Sequence, residues 1–526
     1  MQHRADMNET QATEAKLRIV WLVLGPALLI GWICLVPSDL PAEAHRLVGI
    51  LLLTITWWLG EPIPIPITGL LAVCLAVILG CVPISAGQSP DGVVLAPFAD
   101  PSLYFLLGGM FIAQAMMRHG LDRRFALLVL TSRWAGRNTF TVLAALGLVV
   151  TFISMWISNT AATAMMYPIG LGVISVLGGG RTETGGENEF AQPDKFEFRR
   201  TPYASALLLI VAYGSSIGGV ATPIGTATNV FTRGKLQASL GLEIPFLQWM
   251  IVGLPLTIVL FLGLTFWLGR SVPPAVSGLN LAELRESFRS QRAVLGTLSR
   301  GEWNTMVTFL LVIGLWTMPG ILAIVQGTQG GSYVAFKSVL PESIVALLAP
   351  VLLFLLPVDF RRGRFTLELE DISRIDWGTV ILFGSGLSLG ALMEKSGLAA
   401  AIGQRMSQVS GTESVWAVTA VSIMAAIVLS EFTSNVATVS VLLPVVISIC
   451  QEAGLEPLPA ALGVCFAASF GSCLPVSTPP NAIVYGSRLI PLGRMVRAGF
   501  GLDLLAAVAV WCVLRVAFAL GWGAAS

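Results

Sequence analysis

One pattern constrains this chain before any other: apolar runs of about 20 residues, the length of helix that crosses a hydrocarbon core of roughly 30 Å, recur from one end of the sequence to the other. Backbone groups in lipid find no water to bond, so such runs must close their hydrogen bonds within themselves, as helices do. Charged residues make up 12% of the 526 positions and hydrophobic ones 55%, against roughly 25% charged in an average soluble domain. No polar block is left over for a separate soluble domain. The formal net charge of +1 gives no electrostatic footprint for nucleic acid. The cysteines show no CxxC spacing, and His3, His45 and His119 lie far apart, which argues against a metal centre or a histidine proton relay.

Hydropathy predicts helices near 19–36, 47–60, 65–83, 101–118, 202–236, 247–269, 303–325, 341–357, 376–394, 460–487 and 498–522. The first run follows Asp6, Glu9 and Glu14 and is longer than a signal-peptide core, so it reads as a retained helix despite the Ala42-Glu43-Ala44 that follows. Two further stretches, 139–177 and 414–450, are too long for one crossing, and a Ser-Asn pair interrupts each near its middle. They are expected to be re-entrant helical hairpins. The fold class is therefore an all-α polytopic membrane protein with about 11 transmembrane helices plus two re-entrant hairpins. With the N-terminus cytoplasmic and the C-terminus extracytoplasmic, most of the 31 Lys and Arg fall on the cytoplasmic side, as the positive-inside rule requires.

An internal repeat organises the chain. Ser158-Asn159-Thr160 is answered by Ser434-Asn435-Val436, each followed by a proline eight residues on, at Pro168 and Pro444 counted from Thr160 and Val436. Earlier, Gly120-Leu121 is answered by Gly397-Leu398, and later Gly225-Thr226-Ala227-Thr228-Asn229 is answered by Ser477-Thr478-Pro479-Pro480-Asn481. Three matches in one order indicate duplication. Under the topology above the two copies are inverted, an architecture in which secondary transporters place their site where the copies meet. The units are expected to be a cytoplasmic segment 1–18, first-repeat scaffold helices 19–138, a first transport part 139–302, second-repeat scaffold helices 303–413 and a second transport part 414–526.

Helix-breaking polar residues deep in an apolar stretch leave backbone groups that protein, ion or water must satisfy. The break at Ser154, Ser158, Asn159 and Thr160 is expected to meet that at Gly225 to Asn229, and Ser430, Ser434 and Asn435 to meet Ser477 to Asn481. Carbonyls ending one half-helix attract cations, and amides starting the next attract anions. Hydroxyl, amide and carbonyl oxygens suit Na⁺, whereas a Ca²⁺ site brings several carboxylates, and only Glu431 lies in these segments. The breaks contain no Lys, Arg or His, although Arg233 follows closely. A buried dianion would then need bound cations for compensation, which supplies a physical reason for coupling.

At these residues the sequence resembles the divalent anion/sodium symporter (DASS) family, through its Ser-Asn-Thr hairpin tips and Thr-Pro-Pro-Asn break, over essentially the whole membrane region. The resemblance implies a homodimer in the plasma (inner) membrane, a stationary scaffold (about 15–138 and 303–413) and an elevator-type transport domain (about 139–302 and 414–522). It implies one Na⁺ at Ser154, Ser158, Asn159 and Gly225, and another at Ser430, Ser434, Asn435 and Ser477. Substrate carboxylates would contact Asn159, Thr160, Thr226, Asn435 and Thr478, with Val436 and Pro479 completing the substrate-binding pocket. Val436 stands where the family has Thr, and Ala227-Thr228 replaces a Pro-Pro. The implied activity is Na⁺-coupled uptake of small divalent anions, C4-dicarboxylates foremost. Alternatives are Na⁺-independent or proton-coupled exchange, or a citrate or sulfate substrate. A hydrolase would need a nucleophile; Gly386-Leu-Ser388-Leu-Gly390 matches GxSxG but falls inside a predicted helix, where it reads as close packing.

Overall fold

The computed structural model describes residues 2–83, 87–177, 201–270, 281–327, 329–410 and 414–522. Helices account for nearly everything described, the exception being a two-stranded antiparallel hairpin that pairs Pro357 with Phe365 and Asp359 with Arg364. Its turn closes at Gly363, whose φ of 63° suits a residue without Cβ.

Among the described residues nine helices are long and apolar enough to cross a membrane. A tenth results if Gly331–Val339 and Glu342–Leu355, bent by 48°, count as one span. The first helix, Gln2–Leu35, starts well before the apolar run at 19, because no Gly or Pro precedes Gly25 to stop it. Its apolar part is 6% buried, whereas that of Pro202–Gly219 is 94% buried. One helix is thus peripheral and the other is the centre of the molecule.

Both long stretches are hairpins of two helices, Thr139–Ser154 with Asn159–Leu177 and Val415–Ser430 with Asn435–Glu452. Both segments read as interrupted crossings are broken as well. The first is Pro202–Gly219 followed by Ala227–Leu240, and the second is Leu458–Ala467 followed by Pro479–Tyr485. The repeat extends to backbone geometry: Gly120 and Gly397 both end a helix in the left-handed region, at φ 69° and 75°.

Packing forms two buried apolar clusters. The larger joins both hairpins, both broken helices and the helices Pro101–His119, Arg300–Gln326 and Glu342–Leu355. The smaller joins the first three long helices to Trp377–Lys395 and touches the second hairpin through Val436, Ala437 and Val441. Outward-facing residues such as Phe266, Leu310 and Val508 are exposed by more than half, a surface that suits acyl chains and not water. The GxSxG stretch packs as expected: Ser388 is 1% exposed within Trp377–Lys395. Arg515 lies over the Trp416 ring at 4.7 Å.

Candidate functional site

The two hairpin tips are built alike. Ser154 Oγ donates to Asn159 Oδ1 at 2.9 Å, and Ser430 Oγ lies 2.9 Å from Asn435 Oδ1 and 2.7 Å from the Ala468 carbonyl. Ser158 and Ser434 each cap the second arm of their hairpin, accepting from the backbone N–H of Ala161 at 3.3 Å and of Ala437 at 3.2 Å. Serine does this where the incoming chain is extended, and its short side chain folds back onto the orphan amides.

The breaks in the crossing helices match each other equally closely. Thr226 and Thr478, which start the second half-helices, have φ,ψ of −146°,148° and −143°,149°. Three residues on, an asparagine fixes the break. Asn229 Nδ2 donates to the carbonyls of Gly219 at 2.9 Å and Thr222 at 2.8 Å, and Asn481 Nδ2 to those of Gly471 and Leu474, both at 3.1 Å. Both asparagines are at most 1% exposed. Each clamp satisfies two carbonyls that the missing helical turn would otherwise strand in an apolar interior. A second tie runs from break to tip: Thr222 Oγ1 donates to the Met155 carbonyl at 2.5 Å, and Ser477 Oγ to the Glu431 carbonyl at 3.0 Å.

These four elements enclose one cavity of about 550 Å³, within the range of small-molecule sites. Of the residues singled out from sequence, Ser158, Asn159, Thr160, Gly225, Thr226, Ser434, Asn435, Val436, Ser477, Thr478 and Pro479 line it. Ser154 and Ser430 are fully buried behind the wall and act on it through the two asparagines. The first residues of three helices, Asn159, Ala227 and Asn435, face the cavity, so the positive ends of their dipoles converge there; the fourth break opens its short helix with Pro479 and Pro480, which have no N–H to offer. The walls therefore offer N–H groups for anionic oxygens beside hydroxyl and amide oxygens for a hard cation.

Arg233, the cation nearest the first break in sequence, is not in the cavity. Its guanidinium meets Glu342 at 2.5 Å, donates through Nε to the Ile244 carbonyl at 2.8 Å, and lies over Phe105 at 5.0 Å. Instead Arg374, with Asp376 beside it, lines the mouth and is the one cation among the described lining residues. It sits more than 100 residues from the first tip on a loop between helices, and no local signal in the sequence marks it. Two more ion pairs tie the segment that carries Arg233 to its surroundings, Lys235 to Glu394 at 2.8 Å and Glu243 to Lys337 at 2.5 Å.

The family described as "Sodium:sulfate symporter transmembrane region" matches residues 15–522. A sodium-dependent dicarboxylate transporter, SdcS, of Staphylococcus saprophyticus is 31% identical over 499 residues, which cover 94% of this chain and 91% of that protein. Its counterpart in Staphylococcus aureus is also 31% identical, over 94% of this chain and 90% of its own. Among solved structures, the YdaH transporter of Alcanivorax borkumensis is similar in fold, with a TM-score of 0.54 at 14% identity, over 92% of this chain and 99% of that one.

Proposed function

The chain belongs to the sodium:sulfate symporter family, the divalent anion/sodium symporters, and from that premise we propose that it couples Na⁺ to the uptake of small divalent anions, C4-dicarboxylates such as succinate foremost. The observation that carries this reading is the cavity bounded by both repeats, lined by three helix N-termini and by Asn159 and Asn435, each held by a buried serine behind it. Relatives named as sodium-dependent dicarboxylate transporters support the substrate class.

In this reading Ser154, Ser158, Asn159 and Gly225 hold one Na⁺, and Ser430, Ser434, Asn435 and Ser477 hold another. The side chains and N–H groups at Asn159, Thr160, Thr226, Asn435 and Thr478 receive the carboxylates, with Val436 and Pro479 as apolar wall. A dianion brought alone among so many apolar groups would be penalised by several kcal/mol. Two cations beside it offset that penalty, so each ligand raises the affinity of the other.

The scaffold is 19–138 and 303–413, and the transport part is 139–302 and 414–526. The protein works as a homodimer in the plasma membrane, with inverted repeats, a cytoplasmic N-terminus and an extracytoplasmic C-terminus. Met117, Arg374 and Asp376, exposed residues of the cavity lining, are all on the side assigned to the cytoplasm by the basic loops. The conformation is accordingly inward-open, and transport moves the two hairpins and broken helices together past the scaffold.

The test is uptake of radiolabelled succinate into proteoliposomes with an inward Na⁺ gradient or with choline in its place, competed by citrate, sulfate and 2-oxoglutarate. Accumulation driven by Na⁺ and competed best by C4 acids is expected. Uptake indifferent to Na⁺ but dependent on an anion trapped inside would make the protein an exchanger and overturn the reading.

A further inference from the structure

Beside the second tip, and outside the cavity lining, lies a group with no equivalent among the described residues of the first half. Glu431, one residue past Ser430, is 8% exposed, and Asp503, on the helix Leu492–Ala519, is 6% exposed. Their carboxylate oxygens and the Cys473 sulfur all lie within 4.8 Å of one another. Glu431 is well supplied with donors, accepting from the N–H of Cys473 at 2.8 Å, the N–H of Leu474 at 3.2 Å and the hydroxyl of Ser477 at 2.8 Å. Asp503 Oδ2 receives the Cys473 thiol at 3.2 Å, and its Oδ1 is buried with no hydrogen-bond partner within ordinary distance and angle. None of the ion pairs among the described residues reaches either carboxylate.

The repeat makes the asymmetry readable. Glu431 answers Met155, at the spacing that relates the two tips. A Cβ on Gly253 would press against Val220 and Ala221, and one on Gly499 against Ser472 and Cys473, so Cys473 answers Ala221, and Asp503, four residues past Gly499, answers Thr257. The first half places three neutral residues in these positions, and Thr257 satisfies itself on the Ile217 carbonyl at 3.2 Å. Two acidic groups have replaced neutral ones where burial penalises uncompensated charge by several kcal/mol.

We propose that Glu431 and Asp503 form a third cation site, taking Na⁺ between their carboxylates, present in the second repeat only. Hard oxygen ligands sit about 2.3–2.6 Å from an ion of this size, so two facing one ion are at most about 5 Å apart, as these are. The Cys473 thiol is engaged as a donor, which leaves oxygen ligands and disfavours soft metals. Three donors already support the charge on Glu431, so one further positive charge answers Asp503, and a monovalent ion suffices. Because Ser477 bonds both the carbonyl and the carboxylate of Glu431, an ion here fixes a ligand of the neighbouring Na⁺ site and is thereby coupled to it.

The inference rests on the Na⁺-coupled reading above, and the experiment separates the two. In proteoliposomes clamped at zero membrane voltage with K⁺ and valinomycin, the size of the Na⁺ gradient that just balances a fixed succinate gradient gives the number of Na⁺ per succinate, whether or not the cycle moves net charge. Wild-type protein must first show Na⁺ coupling; if it does not, the proposed function fails. Given coupling, Asp503→Asn, Asp503→Thr and Glu431→Gln are each expected to lower the ratio by one whole ion. An unchanged ratio, or a ratio kept by a transported proton, overturns the third site and leaves symport standing. If a variant folds but does not transport, equilibrium binding of radiolabelled Na⁺ to the purified full-length protein decides: loss of one equivalent supports the site, and the wild-type number overturns it.

Discussion

Neutralising Glu342 should shift the conformational equilibrium of the transporter measurably. The residue begins the helix Glu342–Leu355 in the proposed scaffold, while its partner Arg233 lies on the proposed moving part. One carboxylate oxygen meets Arg233 Nη2 at 2.5 Å and the other accepts from Phe246 N–H at 2.8 Å, with the two side chains 11% and 14% exposed. Removing one partner of a buried pair costs about 3–5 kcal/mol; partial exposure and screening reduce this to about 2–3 kcal/mol here. The pair exists only while the two parts hold their present positions, so Glu342→Gln should depopulate this conformation by roughly 30- to 140-fold at 1.4 kcal/mol per decade. The assay is the rate at which an impermeant maleimide modifies Thr379→Cys, a cavity-lining position, in a background without the exposed Cys34, Cys74 and Cys512. The rate should fall steeply in Glu342→Gln, which strands the Arg233 charge, and far less in the apolar pair Arg233→Met with Glu342→Leu, which strands none. Unchanged labelling in a folded, correctly inserted variant would refute the idea that this pair separates during transport.

Three further outcomes are expected. Asn159→Ala and Asn435→Ala each remove an oxygen bonded to a buried serine and should raise the half-activating Na⁺ concentration at least about tenfold, on the scale of one lost polar interaction of about 1–3 kcal/mol, read from uptake against Na⁺. Asn229→Leu and Asn481→Leu each strand two buried carbonyls, a loss of about 2–6 kcal/mol, visible as a lower thermal unfolding temperature in detergent even without ligand. Arg374→Gln should raise KM for dianions by about 3- to 10-fold at low ionic strength and by less in high choline chloride, since a charge at a cavity mouth acts through a screened field.

How much of this was legible in sequence varies with the kind of interaction. The hairpins, the breaks and the convergence of Asn159, Thr226, Asn435 and Thr478 follow from duplicated polar residues inside apolar runs, because lipid penalises such residues wherever nothing satisfies them and so drives them toward a shared interior. The clamping role of Asn229 and Asn481 was only half visible: the repeat marks them, but whether an asparagine faces a ligand or its own backbone depends on the path of the broken turn. Arg374 and Asp503 gave no signal. One is an arginine in a basic loop and the other a lone acid three turns into the last helix, and each acquires meaning only from what tertiary packing sets beside it. Arg233, adjacent to the break in sequence, is committed elsewhere for the same reason.

The asparagine clamps have a consequence for ligand-binding thermodynamics. They close entirely within each broken helix and need no ion or substrate, so the shape of the break is set before anything binds. A preorganised wall spares the ligand the entropy of ordering a loop. Substrate binding at saturating Na⁺ should therefore show a small heat-capacity change, without the large negative value that accompanies coupled folding, and its heat should report the exchange of water for N–H and hydroxyl contacts around the carboxylates.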